Sequence, residues 1–399
     1  MTRGSTIQQF ERAFDPSMEV HLPERPATVA SRGEVVTPYA NSWEYLCDKL
    51  RQLDLRIERE LLQMGLRHPV NPLEQFKGLV VSEEEVAALI ARDGRSAIPG
   101  EADGTHSSAL EACTARLDKK RQDIQARLQL TEETGTKLSL LWLACLLGLT
   151  PFEQECVLIC FAPELDRKYE KLYAYLQDDV TRKKATLDLI LTLAESGTDQ
   201  VAARNSFTAQ APLLKYGLIQ VTDHSPDGQA PLLSRALKLD DRIVNFLLEL
   251  PQLDGRLESV ANLSLTSRPG DEVLVNHSIR QRLLELLHKE VAGNENAAGR
   301  VCVHLHGPGG SGKHASMRAL ARELGLPPLL ADAGRIAAGG LPLEQTALLL
   351  GREALLQPAL LCIDNLDALL AGESAQQNQL RTLIQTAFNF TRVAVVISR

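Results

Sequence analysis

One short loop constrains this chain more than any other feature. The stretch VCVHLHGPGGSGKHASMRALARELG, residues 301–325, runs from an apolar strand pattern through a cluster of glycines into an amphipathic helix pattern. Glycines at 307, 309, 310 and 312 let the backbone wrap tightly enough for its N–H groups to face an anion, and a helix beginning near Lys313 adds its positive N-terminal end. The order follows the phosphate-loop pattern G-x-x-x-x-G-K-[ST]. Gly307, Pro308, Gly309, Gly310, Ser311 and Gly312 would cradle the phosphates of ATP, and Lys313 would neutralise the terminal ones. The last position departs from the pattern: His314 stands where a hydroxyl normally coordinates Mg2+, and a neutral imidazole is a poor ligand for so hard a cation. Ser316 is two residues on, about 200° around the helix, and does not reach the same place.

About fifty residues downstream, PALLCIDNLDALL supplies a second apolar strand, ending in Asp364. A carboxylate there would stand beside the loop and hold the hydration shell of Mg2+. Asn365 occupies the position where ATPases of this kind carry a glutamate; an amide orients water but cannot take its proton, so the hydrolytic step is put in question. Asp367 is either a substitute base or, more simply, a cap for the following helix. His304 and His306, on one strand face, read as buried structural residues.

Around these motifs the pattern alternates: a helix over 277–291, strands at 301–306, 328–332, 359–363 and 392–397, and helices at 313–324, 343–356 and 374–388. Short apolar strands alternating with helices predict a parallel sheet covered on both faces, filling a domain over 276–399.

The preceding region reads as mainly helical. Residues 1–41, rich in Pro, Ser, Thr and Arg without periodicity, predict a disordered leader. Leu46, Leu50, Leu53, Ile57, Leu61 and Met64 form one helical seam, and Leu110, Cys113, Leu117, Ile124 and Leu128 form another. Together they predict an antiparallel hairpin over 42–135, with a capping box of Ser82 and Glu85 between them. Residues 136–262 predict Leu-rich helices, with Thr150 capping a helix that opens on Pro151. A strand at 218–221, a Pro/Gly turn, a second strand and a closing helix from Asp240 follow, which together make a winged helix. Residues 263–275 read as a linker. The fold class is therefore multidomain: a mainly α N-terminal region with a winged helix, then an α/β P-loop domain.

A winged helix invites a DNA reading, which the charges oppose. The net charge is −8, the helix before the wing offers Lys215 alone, and the wing tip TDHSPDG is acidic. Nucleic acid is not the expected partner, and Arg182, Lys183 and Lys184 read as a solvated helix start. Seven cysteines without C-x-x-C spacing read as small buried hydrophobes. The N-terminal residues show no signal-peptide core, and the longest apolar run, 138–149, falls short of the ~20 residues that cross a bilayer, so a cytoplasmic location is expected.

Residues 301–399, by GPGGSGK and LLCIDNLDAL, resemble an AAA+ ATPase. Over about 41–399, most distinctively at YAYLQDDVTRK, the chain is similar to AAA+ ATPases with a winged-helix region encoded in bacterial phage-tail-like contractile injection clusters. The resemblance implies ATP and Mg2+ as cofactors, with Lys313, Asp364 and Asn365 at the catalytic positions and Asp364 on the metal side. It implies self-association into a ring, partners within a contractile particle, and ATP-driven remodelling or assembly. It also implies a sensor polar residue at the tip of the fourth strand, Ser398, and beyond it an arginine finger and helical lid for which these 399 residues have no counterpart. Hydrolysis by the chain as written is accordingly expected to be weak or absent. Two alternatives stand beside the motor reading: a nucleotide-binding pseudo-ATPase adaptor acting through protein contacts, and a DNA-dependent ATPase using the winged helix.

Overall fold

The computed structural model describes residues 36–67, 105–194, 200–223, 229–264, 281–283, 285, 301–370, 381–386, 390–391 and 393–399. The expected leader, the Ser82–Glu85 capping box, the linker from 265 on, the wing tip at 224–228, and most of the helices expected at 277–291 and 374–388 lie outside these residues. The chain divides into two compact units, Val35–Pro251 and Gln252–Arg399.

In the first unit, α1 (Ser42–Arg67) and α2 (Thr105–Thr134) form the expected antiparallel hairpin. Its seam is apolar, with Leu46, Leu53, Ile57, Cys113, Leu117 and Ile124 buried. Polar ties fix the register: Arg116 meets Glu58 at 3.0 Å, Lys120 and Arg127 meet Asp48 at 2.8 and 3.1 Å, and the N–H of Tyr39 donates to Thr131 Oγ1 at 2.9 Å. Because ascending positions on α2 meet descending positions on α1, the two helices run in opposite directions. The hairpin is not a separate domain, as the expected boundary at 135/136 would have it. Buried Arg56 on α1 reaches Glu155 at 3.2 Å and the carbonyl of Leu193, tying the hairpin to helices of the winged-helix region.

Those helices are α3 (Ser139–Leu147), α4 (Pro151–Leu165), α5 (Lys168–Leu176), α6 (Leu187–Leu193), α7 (Gln200–Asn205) and α8 (Pro212–Lys215). The helix α4 opens as its sequence dictates. Thr150 accepts from the N–H of Glu153, whose carboxylate accepts from the N–H of Thr150, and Pro151 sits in the first turn where no N–H is needed. The wing is an antiparallel pair, β1 (Ile219–Thr222) and β2 (Ala236–Leu239), joined by a bridge from Thr186 to Ala236 and closed by α9 (Asp241–Leu247). The run Arg182, Lys183, Lys184 is exposed, as expected, but lies in an irregular segment before α6 rather than on a helix. The Gln177 side-chain amide holds that segment by donating to the carbonyls of Arg182 and Lys184.

The second unit is built on a sheet of order β3-β5-β6-β7-β4, comprising β3 (Ala261–Leu263), β4 (Val301–His306), β5 (Pro328–Asp332), β6 (Leu360–Asp364) and β7 (Val393–Ser398). The pairs β4–β7, β7–β6 and β6–β5 are parallel, as the alternating pattern predicts. One face packs Val303, Cys362, Val395 and Ile397 against Met317 and Leu320 of α10 (Lys313–Glu323). The opposite face packs Leu361, Ile363 and Val396 against α11 (Ala333–Ala338) and α12 (Leu343–Leu356). A short α13 (Asp367–Leu370) follows β6.

The edge strand β3 runs antiparallel to β5, and sequence patterning did not reveal it. Through it residues 252–263 pack with the sheet of the second unit rather than with the wing. What holds them is a buried ion pair. Arg352 on α12, fully buried, meets Asp254 at 2.9 Å, and Asp254 also accepts from the backbone and side chain of Arg256.

Candidate nucleotide site

The loop between β4 and α10 carries the sequence-predicted phosphate residues. Gly312, the N-cap of α10, has φ +83°, a left-handed conformation that a side chain rarely adopts. Having no side chain, Gly312 leaves the first N–H groups of α10 uncapped, so they face the loop. Lys313 Nζ lies over the loop, donating to the carbonyls of Gly307 and, at 2.9 Å, of Pro308. A cation and a helix N-terminus thus converge on one glycine-lined turn, an arrangement suited to an anion.

The strand order sets β6 two strands from β4, and its end carries Asp364 toward the start of α10. There His314 Nε2 lies 2.7 Å from Asp364 Oδ2. The other carboxylate oxygen, Oδ1, accepts from the backbone N–H of Asn365 at 2.8 Å. Both oxygens of the expected Mg2+ carboxylate are therefore engaged by protein donors. Mg2+ takes six oxygen ligands at ~2.0–2.1 Å, and the residue in the hydroxyl position is an imidazole bonded to the carboxylate. These residues do not fit a directly ligated Mg2+.

Asn365 departs from its expected position as well. Its backbone adopts φ +56°, unusual for a residue other than glycine, and its side-chain amide donates to Asp332 Oδ1 at 3.4 Å. Asp332 ends β5, on the side of β6 away from the glycine loop, so the amide is turned from the place where a water would attack. Gly334 permits this: a Cβ there would lie 2.8 Å from Asn365 Nδ2. Asp332 itself caps α11, accepting from the N–H of Arg335. Asp367 opens α13 and accepts from the N–H of Arg399 at 2.8 Å, which engages the proposed substitute base with backbone.

Two expectations are corrected here. His304 and His306 are exposed, not buried: they lie on the face of β4 opposite buried Val303. Both rings meet buried Ser398 at the tip of β7, His304 Nε2 at 2.7 Å and His306 Nδ1 at 3.1 Å from its Oγ. The cysteines divide. Cys113, Cys156, Cys160 and Cys362 are buried, and burial pushes the thiols of Cys113 and Cys160 up to about 11 and about 12, whereas Cys145 and Cys302 are exposed. Among the described residues no cluster of three or more His, Cys, Asp or Glu could hold a metal ion, and no helix is long and apolar enough to cross a membrane.

Several basic residues of the winged helix meet acids. Arg182 meets Asp179 at 3.1 Å, Arg235 meets Asp223 at 3.7 Å, and Lys238 meets Asp241 at 2.8 Å, while Lys215 lies 5.0 Å over the ring of Tyr216.

Comparison with known proteins finds two family domains in the same order, the first running about ten residues past Pro251 to Ala261. A family model described as "Winged helix domain, variant" matches residues 28–261, and one described as "ATPase family associated with various cellular activities (AAA)" matches residues 303–398. No curated protein matches the chain. With its helical hairpin and wing matched over more than half of its length, the chain belongs to the variant winged helix domain family, and it carries a C-terminal AAA ATPase family domain.

Proposed function

We propose that this chain binds ATP at the loop 307–313 and uses the bound nucleotide as a signal to protein partners, with hydrolysis slow or absent. In this reading the backbone of Gly307 to Gly312 and the ammonium of Lys313 hold the phosphates. Asp364 and Asn365 keep the places of the hydrolytic residues without their chemistry. The observation that carries it is the contact of His314 with Asp364 at 2.7 Å, which engages the catalytic-side carboxylate with a protein donor. The turn of Asn365 toward Asp332 supports it further, because that amide is then engaged by a carboxylate instead of an attacking water. The helical hairpin and winged helix would be the partner-docking modules, since the net charge of −8 and the acidic wing tip disfavour nucleic acid and the DNA-dependent reading with it.

A second reading keeps the motor. The AAA match over 303–398 and the resemblance at YAYLQDDVTRK support an ATP-driven remodelling or assembly factor for a bacterial phage-tail-like contractile particle, working as a cytoplasmic ring. Single-turnover assays with protein in excess over radiolabelled ATP separate the two. The adaptor reading expects bound ATP to stay intact over many minutes. Cleavage at a rate that Asp364→Ala abolishes would refute it and leave the motor.

A further inference from the structure

The contact between His314 and Asp364 bears on the form in which nucleotide is held. His314 is the second residue of α10, immediately after the loop lysine, and Asp364 ends β6, so a single contact fastens the start of the phosphate helix to the strand end fifty positions away. Both carboxylate oxygens are occupied, one by His314 and one by the N–H of Asn365. A phosphate loop followed by a hydroxyl uses that hydroxyl and this carboxylate to place Mg2+ between the loop and the phosphates. Here the hydroxyl is replaced by a donor that binds the carboxylate itself.

We infer that this site takes its nucleotide as the metal-free polyphosphate, with the His314–Asp364 contact standing in for the ion. The electrostatics support the substitution. An uncompensated carboxylate at Asp364 would repel the phosphates, which is the repulsion a divalent cation ordinarily removes. Two N–H donors on its oxygens perform that task, while Lys313 and the N-terminus of α10 supply the attraction. Mg2+ placed on Asp364 Oδ2 would compete with His314 for that oxygen, a loss of up to about tenfold in affinity for the ion. The inference rests on nucleotide binding at this loop, as proposed above.

The test is titration of a fluorescent ATP analogue into the full chain in EDTA, in Mg2+ and in Mn2+, for the native protein and for His314→Thr, which restores the hydroxyl. Thermal melting serves as the folding control. The native protein is expected to bind with affinities within about threefold in EDTA and Mg2+. His314→Thr is expected to gain tenfold or more on adding Mg2+. A native protein whose affinity rises tenfold with Mg2+ would overturn the inference, because the contact then opens for the ion. A rise with Mn2+ alone would overturn it differently, making His314 a ligand to a softer cation. A folded His314→Thr that stays indifferent to Mg2+ would also overturn it. Should that variant fail to fold, the native arms decide alone. Absence of binding in every buffer would defeat the nucleotide reading itself, a result distinct from metal-dependent binding.

Discussion

Replacing Asp254 tests why residues 252–263 belong with the sheet. Its carboxylate is 4% exposed and faces Arg352, which is fully buried, at 2.9 Å; it also caps the turn of Gly255–Leu257 through the N–H of Arg256. In Asp254→Ala the buried guanidinium loses the carboxylate opposite it. Breaking a buried pair from one side costs about 3–5 kcal/mol, and loss of a cap contributes roughly 1 kcal/mol that overlaps with it. For a unit of this size each kcal/mol moves the melting temperature by ~2–4 °C, so a drop on the order of 10 °C is expected. The assay can assign the loss to its unit. Trp43 and Trp142, the only tryptophans, both lie in the N-terminal unit, so tryptophan fluorescence follows that unit while calorimetry follows both. Asp254→Ala should lower one calorimetric transition and leave the fluorescence transition in place. A shift below about 3 °C, or a shift carried by fluorescence, would refute the assignment of 252–263 to the sheet and of Arg352–Asp254 as its clamp.

The same residue gives a pH dependence. Burial alone would raise the Asp254 carboxyl, but hydrogen bonds from the Arg256 side chain and backbone, with the charges of Arg256 and Arg352, outweigh it and hold the carboxyl below its usual range. A depressed carboxyl contributes stability that is present above its unfolded pKa of ~3.9 and is lost as pH falls through its folded value. Asp48, where burial is likewise outweighed by Lys120, Arg51 and Arg127, adds the same sign in the hairpin. Thermal melts should therefore be flat near neutrality and fall steeply below about pH 4, and Asp254→Asn should flatten the acid limb of the C-terminal transition. Gly312→Ala, at φ +83°, should cost about 1–2 kcal/mol of stability in calorimetry and weaken ATP-analogue binding through distortion of the loop. In Gly334→Ala the new methyl meets the Asn365 amide at 2.8 Å; the amide should leave Asp332, giving altered side-chain shifts for Asn365 by NMR with no loss of nucleotide binding.

Elements set by periodicity could be read in advance. The strand at 301–306 and the helix at 343–356 match their expected bounds, because the alternation from period two to 3.6 and the breakers around each agree. The α1–α2 hairpin was readable from two apolar seams, and the α4 start from Thr150, Pro151 and Glu153. The edge strand at 261–263 was not, because three residues carry too little pattern and its partner, β5, lies sixty-odd positions away. In the site, the nearness of Asp364 to the loop followed from the strand–loop–helix order, and the departure at His314 was visible in the motif. That the two would bond depends on the reach of an imidazole across two elements, a tertiary fact. The turn of Asn365 had a fainter signal, in the Asp332 helix cap and the glycine at 334 that leaves room for the amide. The exposure of the β4 histidines had no signal in the sequence, because alternation on a strand specifies two faces but not which part of a face is covered.

The experiment to perform first is isothermal titration of ATP into the full chain and into Lys313→Ala, each in EDTA and again in Mg2+. A nucleotide-binding AAA domain predicts saturable binding by the native protein, lost in Lys313→Ala while its melting behaviour stays native. Binding that survives unchanged in a folded Lys313→Ala, or no binding by the native protein in either buffer, would contradict the assignment of the loop as a nucleotide site.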